Sequence, residues 1–382
     1  MVQLRGITWR HTRGYLPMVA TAQRFAELHP EVSIHWELRS LQHFADYPIQ
    51  ELAKTFDLLV IDHPSSGYAA QHDVLLPLDE HISASFLLDQ ANQSVGRSRE
   101  SYHHGGHQWA LAIDAATPIS GWRPDLLEQA GAVIPRTWTE LLDLAKAGLV
   151  AVAGIPIDSL MHFYMLCGAL GEEPFGKRGV VVAPEIGVPA LGMLRRLLSL
   201  CDPVCFSRNP IAVWESLSSS DTAAYCPFAY GYSNYSRPGY AKHTLETGGL
   251  LAMDNHIVCR STLGGAGLAI SSRCRERDLA VLYAQFVASA QCQANVYFNA
   301  GGQPGYRAAW LDAEVNRRSN SFFRNTLQTL DDAYLRPRFS GYLDFQDAGA
   351  VIVHKYLVEG GNEQAVLREL NHLLHTTQKD AE

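Results

Sequence analysis

Polar and aromatic side chains follow two of the strands that the sequence predicts near its N-terminus. Six residues stand at or just beyond these strand ends: Trp9, Arg10, His11, Tyr15, Asp62 and His63. A guanidinium there can hold an anion, a ring can stack on a flat ligand, and a carboxylate can accept two hydroxyl groups. Because ligands of open α/β sheets bind outside the carboxyl ends of the strands, we expect these residues to contact a ligand. The alternatives are a packed tryptophan, a solvated arginine and an aspartate that caps a turn.

A second candidate segment is rich in aromatic residues. Residues 228–235 contain four aromatic rings, an asparagine and a serine, and we predict a loop over 226–235 after a strand at 222–225. Consecutive rings in a loop cannot all point into one core, so an aromatic wall with hydrogen-bonding groups is expected. The alternative is a contact between two lobes. The residues predicted to bind a ligand here are Phe228, Tyr230, Tyr232 and Asn234.

Other motifs give little evidence for a metal or cofactor site. The run His103-His104-Gly105-Gly106-His107 has residue types that bind metals, but a turn holds metal ligands poorly and we expect no carboxylate or cysteine partner nearby. The pairs Gly264-Gly265 and Gly301-Gly302 match neither a Walker A loop nor a dinucleotide fingerprint, so we interpret them as turn glycines. No nucleophile motif is present. The sequence therefore predicts no metal and no cofactor.

Composition limits the class of protein. The chain has 382 residues, of which 47% are hydrophobic and 18% charged, which excludes a disordered chain. A single core rarely grows beyond about 250–300 residues, so we expect two lobes. The formal charge of −8 and the scattered basic residues exclude the electrostatic footprint of a nucleic-acid binder. No apolar run has the length of a transmembrane segment.

The N-terminus and the cysteines bear on the compartment. The chain begins directly on its first predicted strand, without a basic and apolar leader. Its seven cysteines are odd in number and widely spread, so we predict buried thiols that are not paired. Both observations favour a cytoplasmic protein as written, and a periplasmic one if a leader has been removed.

Hydrophobic periodicity predicts the elements that position these residues. The first part has β-α-β-α-β order, with strands at 3–8, 32–38 and 56–61 and helices around 18–26 and 49–53. This order indicates a parallel sheet with right-handed crossovers. Thr137 and Glu140 are spaced as a capping box at the start of a helix. The remaining predictions are a hairpin around 105–107, helices at 124–129, 159–170, 188–199 and 279–290, a strand within 263–271 and a mostly helical tail over 322–378.

Several stretches, taken in order, resemble one family. They include Asp57-Leu58-Leu59-Val60, Leu76-Pro77-Leu78-Asp79, and the segment from Trp122 to Gly131 followed by Pro135-Arg136-Thr137-Trp138-Thr139-Glu140-Leu141-Leu142. Weaker matches are Phe25 to Val32, Gly106 to Leu111, Gly264 to Ile270 and Gly301-Gly302-Gln303-Pro304. The chain is similar in these stretches, over most of residues 20–305, to the family 1 extracellular solute-binding proteins of ABC importers.

The resemblance implies an α/β, two-lobed periplasmic-binding-protein-like (type II) fold. Each lobe would be a mostly parallel sheet flanked by helices, with a ligand cleft between the lobes and hinge closure around a small solute. Lobe 1 would comprise 1–114 and about 250–310, lobe 2 would comprise 115–249, and the helices of 311–382 would pack mainly on lobe 2 and the hinge. Asp114 would lie near the crossover as a ligand contact. The resemblance also implies docking on an ABC permease.

Two functions remain open from the sequence. The first is a solute-binding protein for a small polar ligand, where aromatic rings and carboxylates suggest a sugar or polyol and Arg10, Arg237 and Arg260 allow an organic acid. We include Arg260 among the predicted ligand-binding residues. The second is a cytoplasmic enzyme on the same fold, in which His11, Asp62 and His63 would handle protons. A ligand released unchanged would favour the first function, and turnover would favour the second.

Overall fold

Within residues 1–379 the strands form three sheets. The computed structural model describes residues 1–379. Its strands are β1 Val2–Trp9, β2 Val32–Arg39, β3 Leu58–Ile61, β4 His103–His104, β5 His107–Gln108, β6 Leu111–Ala116, β7 Pro118–Trp122, β8 Tyr225–Tyr230, β9 Glu246–Gly248 and β10 Gly264–Ile270. The predicted strands at 3–8, 32–38 and 56–61 correspond to β1, β2 and β3.

Helices make up much of the rest. They are α1 Thr12–Leu28, α2 Leu41–Asp46, α3 Ile49–Thr55, α4 Ser65–His72, α5 Ala84–Asn92, α6 Ser98–Ser101, α7 Pro124–Gln129, α8 Trp138–Lys146, α9 Pro156–Ala169, α10 Pro184–Leu198, α11 Pro210–Ser219, α12 Arg277–Ala288, α13 Ala290–Cys292, α14 Arg307–Leu311, α15 Ala313–Arg318, α16 Phe322–Asp331, α17 Tyr342–Glu359 and α18 Glu363–Lys379. A π-helical turn, Gln293–Tyr297, follows α13. No helix within residues 1–379 combines the length and the apolar character that crossing a membrane requires.

The chain divides into two compact units. Unit 1 comprises Met1–Ala116, Gly264–Leu327 and Arg338–Ser340, and unit 2 comprises Thr117–Leu263, Gln328–Pro337 and Gly341–Glu382. The predicted lobe 1 ended at 114 and resumed at about 250, whereas unit 1 ends at 116 and resumes at 264. The second segment of lobe 1 was predicted to end near 310, whereas the second segment of unit 1 ends at Leu327. The C-terminal helices α17 and α18 both belong to unit 2.

Unit 1 is built on a five-stranded sheet in the order β2-β1-β3-β10-β6. β1 pairs in parallel with β2 and β3, whereas β10 runs antiparallel to both β3 and β6. The sheet is therefore mixed: β1, β2, β3 and β6 run in one direction and β10 runs in the other. β3 is buried at all four positions because helices cover both faces of the sheet. One face packs against α1 and α12 through Phe25 and Tyr283, and the other contacts Leu52 and Trp109.

Unit 2 contains a three-stranded sheet in the order β8-β7-β9. Both pairings of β7 are antiparallel, so the expectation of a mostly parallel sheet in this lobe is wrong for these strands. The predicted loop over 226–235 is also wrong in its first half, because residues 225–230 form β8. The rings at 225, 228 and 230 do not alternate strictly and Pro227 lies between them, so the sequence pattern did not separate a buried strand from a loop. Helix α9 is buried on nearly every side and packs against α10 and α17.

The capping box at the start of α8 gives a first testable expectation. Thr137 Oγ1 accepts from the Glu140 N–H at 3.3 Å, and Glu140 Oε2 accepts from the Thr137 N–H at 3.3 Å. We expect Thr137→Ala to lower the free energy of unfolding by about 1 kcal/mol, because an N–H at the helix start loses its partner. Urea unfolding of Thr137→Ala against Thr137→Ser measures this, since serine retains the acceptor. Equal losses in both variants would contradict the capping explanation.

Candidate functional site

The carboxyl edge of the unit 1 sheet brings the predicted N-terminal residues together. β1 and β3 are adjacent and parallel, so the segments that follow them leave the sheet on the same side. β6 runs in the same direction, and Asp114 lies near its end. We call this surface the strand-end edge; it comprises residues 9–15, 62–63 and 114.

Trp9, Arg10 and Tyr15 differ in their surroundings. Trp9 is 3% exposed and packs into the core of unit 1, with its ring centroid 5.0 Å from that of Phe44. Gly14 allows this packing, since a Cβ there would lie 2.3 Å from the Trp9 ring. Arg10 is exposed and Tyr15 is half-buried against the same core. Arg10 is therefore accessible at the strand-end edge and Tyr15 is partly accessible, whereas Trp9 packs in the core behind them.

His11 is the N-cap of α1. Its Nδ1 accepts a hydrogen bond from the Arg13 N–H at 3.0 Å. Burial, and then the neighbouring Arg13 guanidinium, lower the pKa of His11 to about 3. The imidazole is therefore neutral at physiological pH, with Nδ1 as an acceptor.

Asp62 and His63 form a pair at the end of β3. Asp62 Oδ1 accepts from the His63 N–H at 2.8 Å and lies 3.2 Å from His63 Nδ1. The His63 ring is buried and meets the Tyr102 ring edge-on, and the Tyr102 hydroxyl donates to the Ile61 carbonyl at 3.2 Å. Asp62 is the partly exposed member of the pair, so its carboxylate is the one that a ligand can reach.

A buried ion pair between Arg13 and Asp114 was not predicted. Arg13 Nε donates to Asp114 Oδ2 at 2.8 Å, and a second guanidinium nitrogen donates to Oδ1, so the contact is bidentate. Both side chains are almost fully buried. Burial raises the pKa of Asp114, and the Arg13 guanidinium opposes that rise. The two residues are 101 positions apart, and no sequence signal could pair them.

The aromatic segment in unit 2 divides into a buried and a less buried part. Phe228 lies inside β8, and its ring meets the His162 ring edge-on at 4.5 Å in the interior of unit 2. Tyr230 is half-buried, and its hydroxyl lies 3.1 Å from Thr262 Oγ1. The Tyr230 carbonyl accepts from the Trp214 indole N–H at 2.7 Å. Tyr232 and Asn234 are buried around the short 3-10 helix Ser233–Ser236.

The remaining predicted ligand contact, Arg260, has partners within unit 2. It forms an ion pair with Glu173, and its Nε donates to the Asp332 carbonyl at 2.5 Å. Arg237, named with it as a group that could bind an acid, has a long contact of 3.4 Å to Ser233 Oγ. An arginine that is already paired with a carboxylate is a weaker anion site than an unpaired one.

The histidine-rich turn and the cysteines give no metal centre in the described part of the chain. The expectation of no carboxylate near the histidine run is wrong, because folding brings Asp79 Oδ2 to 3.0 Å from His107 Nδ1; the turn itself forms the hairpin β4–β5. Among residues 1–379, no group of three His, Cys, Asp or Glu side chains could hold a metal ion. All seven cysteines are buried thiols, and burial raises the pKa of Cys201 and Cys259 to about 12.

Comparison with known proteins identifies the fold. The chain is similar to the maltose-bound MalE3 protein of T. maritima, with 18% identity and a TM-score of 0.83 over 98% of this chain and 100% of that one. It is also similar to an ABC transporter solute-binding protein of Agrobacterium radiobacter K84 in complex with ribitol, with 17% identity and a TM-score of 0.82 over 99% of this chain and 98% of that one. A third similar structure is the ABC transporter solute-binding protein of Agrobacterium vitis S4 with bound D-mannitol, with 14% identity and a TM-score of 0.80 over 100% of this chain and 99% of that one. The two-lobed α/β fold of periplasmic binding proteins is thereby confirmed.

Solved structures below 20% identity show only the fold, whereas a match to a family model shows the family. No curated protein sequence matches the chain. The model described as bacterial extracellular solute-binding protein matches residues 48–317, which is more than half of the chain. The chain belongs to this family of bacterial extracellular solute-binding proteins, and the predicted resemblance and solute-binding role are confirmed.

Proposed function

We propose that the strand-end edge of unit 1 binds a neutral sugar or polyol. The observation that carries this proposal is the charge state of the buried part of the edge: Asp114 is neutralised by Arg13, and His11 is a neutral acceptor, so the other charged groups of the edge are the exposed Arg10 and the partly exposed Asp62. An anionic ligand gains little from an arginine that is already in a bidentate pair. Hydroxyl groups, in contrast, can donate to the Asp62 carboxylate. The similar solved proteins bind maltose, ribitol and D-mannitol, which agrees with a polyhydroxy ligand.

Within the edge, the residues have separate roles. Asp62 accepts hydroxyl donors, Arg10 and Tyr15 supply a donor and a ring surface, and His63 orients Asp62 through the contact at 3.2 Å. Arg13 and Asp114 position the start of α1 against the end of β6. Trp9 supports this arrangement from the core.

We also propose a second ligand-binding surface on unit 2. Tyr230 is half-buried and would contact the ligand, whereas Tyr232 and Asn234 are buried and would line the surface from behind. Rings combined with hydrogen-bonding groups are the composition of a carbohydrate-binding surface. Phe228 supports it from inside β8. Arg260 would lie at the edge of this surface, where it forms an ion pair with Glu173.

The partner and the compartment follow from the family. An ABC permease is the membrane partner that we propose, and the outside of the cytoplasm is the compartment, since the family is described as extracellular. The unpaired cysteines do not argue against this. Their burial protects them from oxidation, so unpaired thiols here carry no information about a reducing compartment.

Calorimetric titration with maltose, ribitol, D-mannitol and a small dicarboxylic acid tests the ligand class. We expect at least one neutral ligand to bind and the acid not to bind. Asp62→Asn should weaken that binding by roughly 10–100-fold, because a charge-assisted hydrogen bond becomes a neutral one. Asp73→Asn is the matched control, since Asp73 is exposed and its φ of +47° suits asparagine.

Two outcomes would contradict the proposal. Binding of the acid alone would exclude a neutral ligand, and an equal effect of Asp62→Asn and Asp73→Asn would remove Asp62 from the site. Mass spectrometry of the ligand after incubation decides against the enzyme hypothesis if the ligand is recovered unchanged, and supports His11, Asp62 and His63 as acid–base groups if it is converted.

A further inference from the structure

Two ionisable side chains lie in the interior of unit 2, and one of them packs against Phe228, the residue that supports the second proposed ligand surface from inside β8. Asp158 and His162 stand four residues apart on α9, so they share one face of the helix about one turn apart. Asp158 is 2% exposed and His162 is 1% exposed. Neither residue belongs to the solute-binding role proposed above. A buried aspartate and a buried histidine require a physical explanation, because both are costly to bury.

Their hydrogen bonding is incomplete within the described residues. Asp158 Oδ2 and His162 Nδ1 are both buried polar atoms with no hydrogen-bond partner there. The His162 ring lies edge-on against Phe228 of β8. A hydrogen bond with the Phe228 backbone raises the pKa of His162, against the larger effect of burial. A bond to a backbone carbonyl uses the protonated ring nitrogen, so Nδ1 remains as an acceptor.

The protonation states of the two groups are complementary. Burial raises the pKa of Asp158 to about 8, so its carboxyl group is protonated at neutral pH and can donate. Burial also lowers the pKa of His162 to about 3, so the imidazole is neutral and Nδ1 can accept. One buried donor and one buried acceptor therefore lie one turn apart on α9, with Asp158 near Cys226 and His162 against Phe228 of β8.

We propose that one internal water molecule bridges Asp158 and His162, and that this chain of hydrogen bonds ties α9 to the backbone of β8. Side chains one helical turn apart have Cβ atoms about 5–6 Å apart, which leaves room for a water between their ends. A buried water needs at least two polar partners, and these two atoms provide them. The Asp158 hydroxyl donates to the water, and the water donates to His162 Nδ1.

The groups around the pair do not supply a counter-charge. On β8 the Cys226 thiol interacts electrostatically with Asp158, and Cys201 lies near Cys226. Cys205 lies near Cys201, and burial raises the pKa of both thiols. On α17, His354 Nδ1 bonds to the Gly154 carbonyl, and the buried positions of α10 are apolar. No cation in the described part of the chain contributes to the pKa of Asp158, so loss of its proton leaves an uncompensated buried charge.

This pair makes unit 2 sensitive to alkaline pH. In the unfolded chain the two groups have ordinary pKa values of 3.8 and 6.5, whereas the folded pair keeps one proton, on Asp158, up to about pH 8. Between about pH 6.5 and 8 the folded state therefore binds one proton more, and stability falls as the pH rises. Between about pH 4 and 6.5 the unfolded chain holds a proton on His162, and the two effects cancel.

Urea unfolding of the full chain at pH 6.5 and pH 9 tests this, in wild type, Asp158→Asn and Asp143→Asn. Asparagine keeps a donor for the water but does not titrate. We expect the ratio of the wild-type to the Asp158→Asn folding equilibrium constant to fall by about 30-fold between these pH values, since each pH unit contributes up to tenfold. Asp143 is an exposed residue of α8, so its variant should show no such change. An unchanged ratio for Asp158→Asn would overturn the proposal.

Nitrogen NMR of the histidine side chains and a crystal structure test the bridge itself. His162 Nδ1 should show the shift of an unprotonated nitrogen that accepts a hydrogen bond in wild type and Asp158→Asn, and of a bare nitrogen in Asp158→Leu. Electron density for one water within about 3.2 Å of both atoms would support the bridge, and a direct bond between Asp158 and His162 would overturn it. These measurements use no ligand, so their failure is separate from failure of the proposed function.

Discussion

Asp114→Ala should lower the free energy of unfolding by about 3–5 kcal/mol. The substitution leaves the Arg13 guanidinium buried without its bidentate carboxylate, and removing one member of a buried ion pair is strongly destabilising. The loss acts on the strand-end edge because Arg13 lies in the first turn of α1 and Asp114 near the end of β6. Urea unfolding followed by circular dichroism measures the change.

A double substitution separates the charge from the packing. Arg13→Met combined with Asp114→Leu removes both charges, so it should be less destabilised than Asp114→Ala alone. Asp278→Ala is the control, because Asp278 is exposed in the first turn of α12 and should change stability by less than about 1 kcal/mol. If Asp114→Ala behaves like Asp278→Ala, the ion pair does not hold this part of the fold.

Trp214→Ala should have a comparably large effect on unit 2, about 3–5 kcal/mol. Trp214 is among the largest fully buried side chains of the protein, and its ring lies against Gly121 of β7, where a Cβ would be 2.6 Å from it. Its indole N–H also donates a hydrogen bond to the Tyr230 carbonyl at 2.7 Å. The alanine variant therefore creates a cavity and releases the end of β8 at the proposed second ligand surface.

Trp214→Phe distinguishes these two contributions. It keeps most of the ring volume but removes the donor to Tyr230, so we expect a smaller loss of about 1–3 kcal/mol. Trp122→Phe is the matched control, because the Trp122 indole N–H donates to Glu246 at an exposed position, and it should change stability by less than about 1 kcal/mol. Tyrosine fluorescence and urea unfolding report both effects. A Trp214→Phe variant as stable as Trp122→Phe would show that the Tyr230 hydrogen bond adds nothing.

Local sequence signals were sufficient for most of unit 1 and for the class of protein. The strands β1, β2 and β3 and the capping box at Thr137 follow from periodicity and capping over a few residues. The ordered stretches that resemble the family are also local, and they led to the solute-binding role that the family model confirms. Asp62 and His63 were placed at a strand end because strand ends are readable from hydrophobic runs.

The position of β8 was harder to predict. Residues 225–230 carry aromatic rings at 225, 228 and 230 and a proline at 227, and this irregular pattern fits both a loop and a buried strand. Pairing with β7 decides between the two, and β7 lies about a hundred residues earlier in the chain. The antiparallel direction of the unit 2 sheet depends on the same long-range pairing, so no window of sequence contains it.

The chain's own sequence determined the elements, the family and the polar residues at the strand ends, because each of these depends on neighbours within one or two turns. Tertiary structure alone decided which charges neutralise each other. Arg13 meets Asp114, and Asp158 lies buried one turn from His162 against β8, only because distant segments pack into one interior. The energy of a charge depends on the groups within a few ångströms of it, and those groups come from any part of the chain.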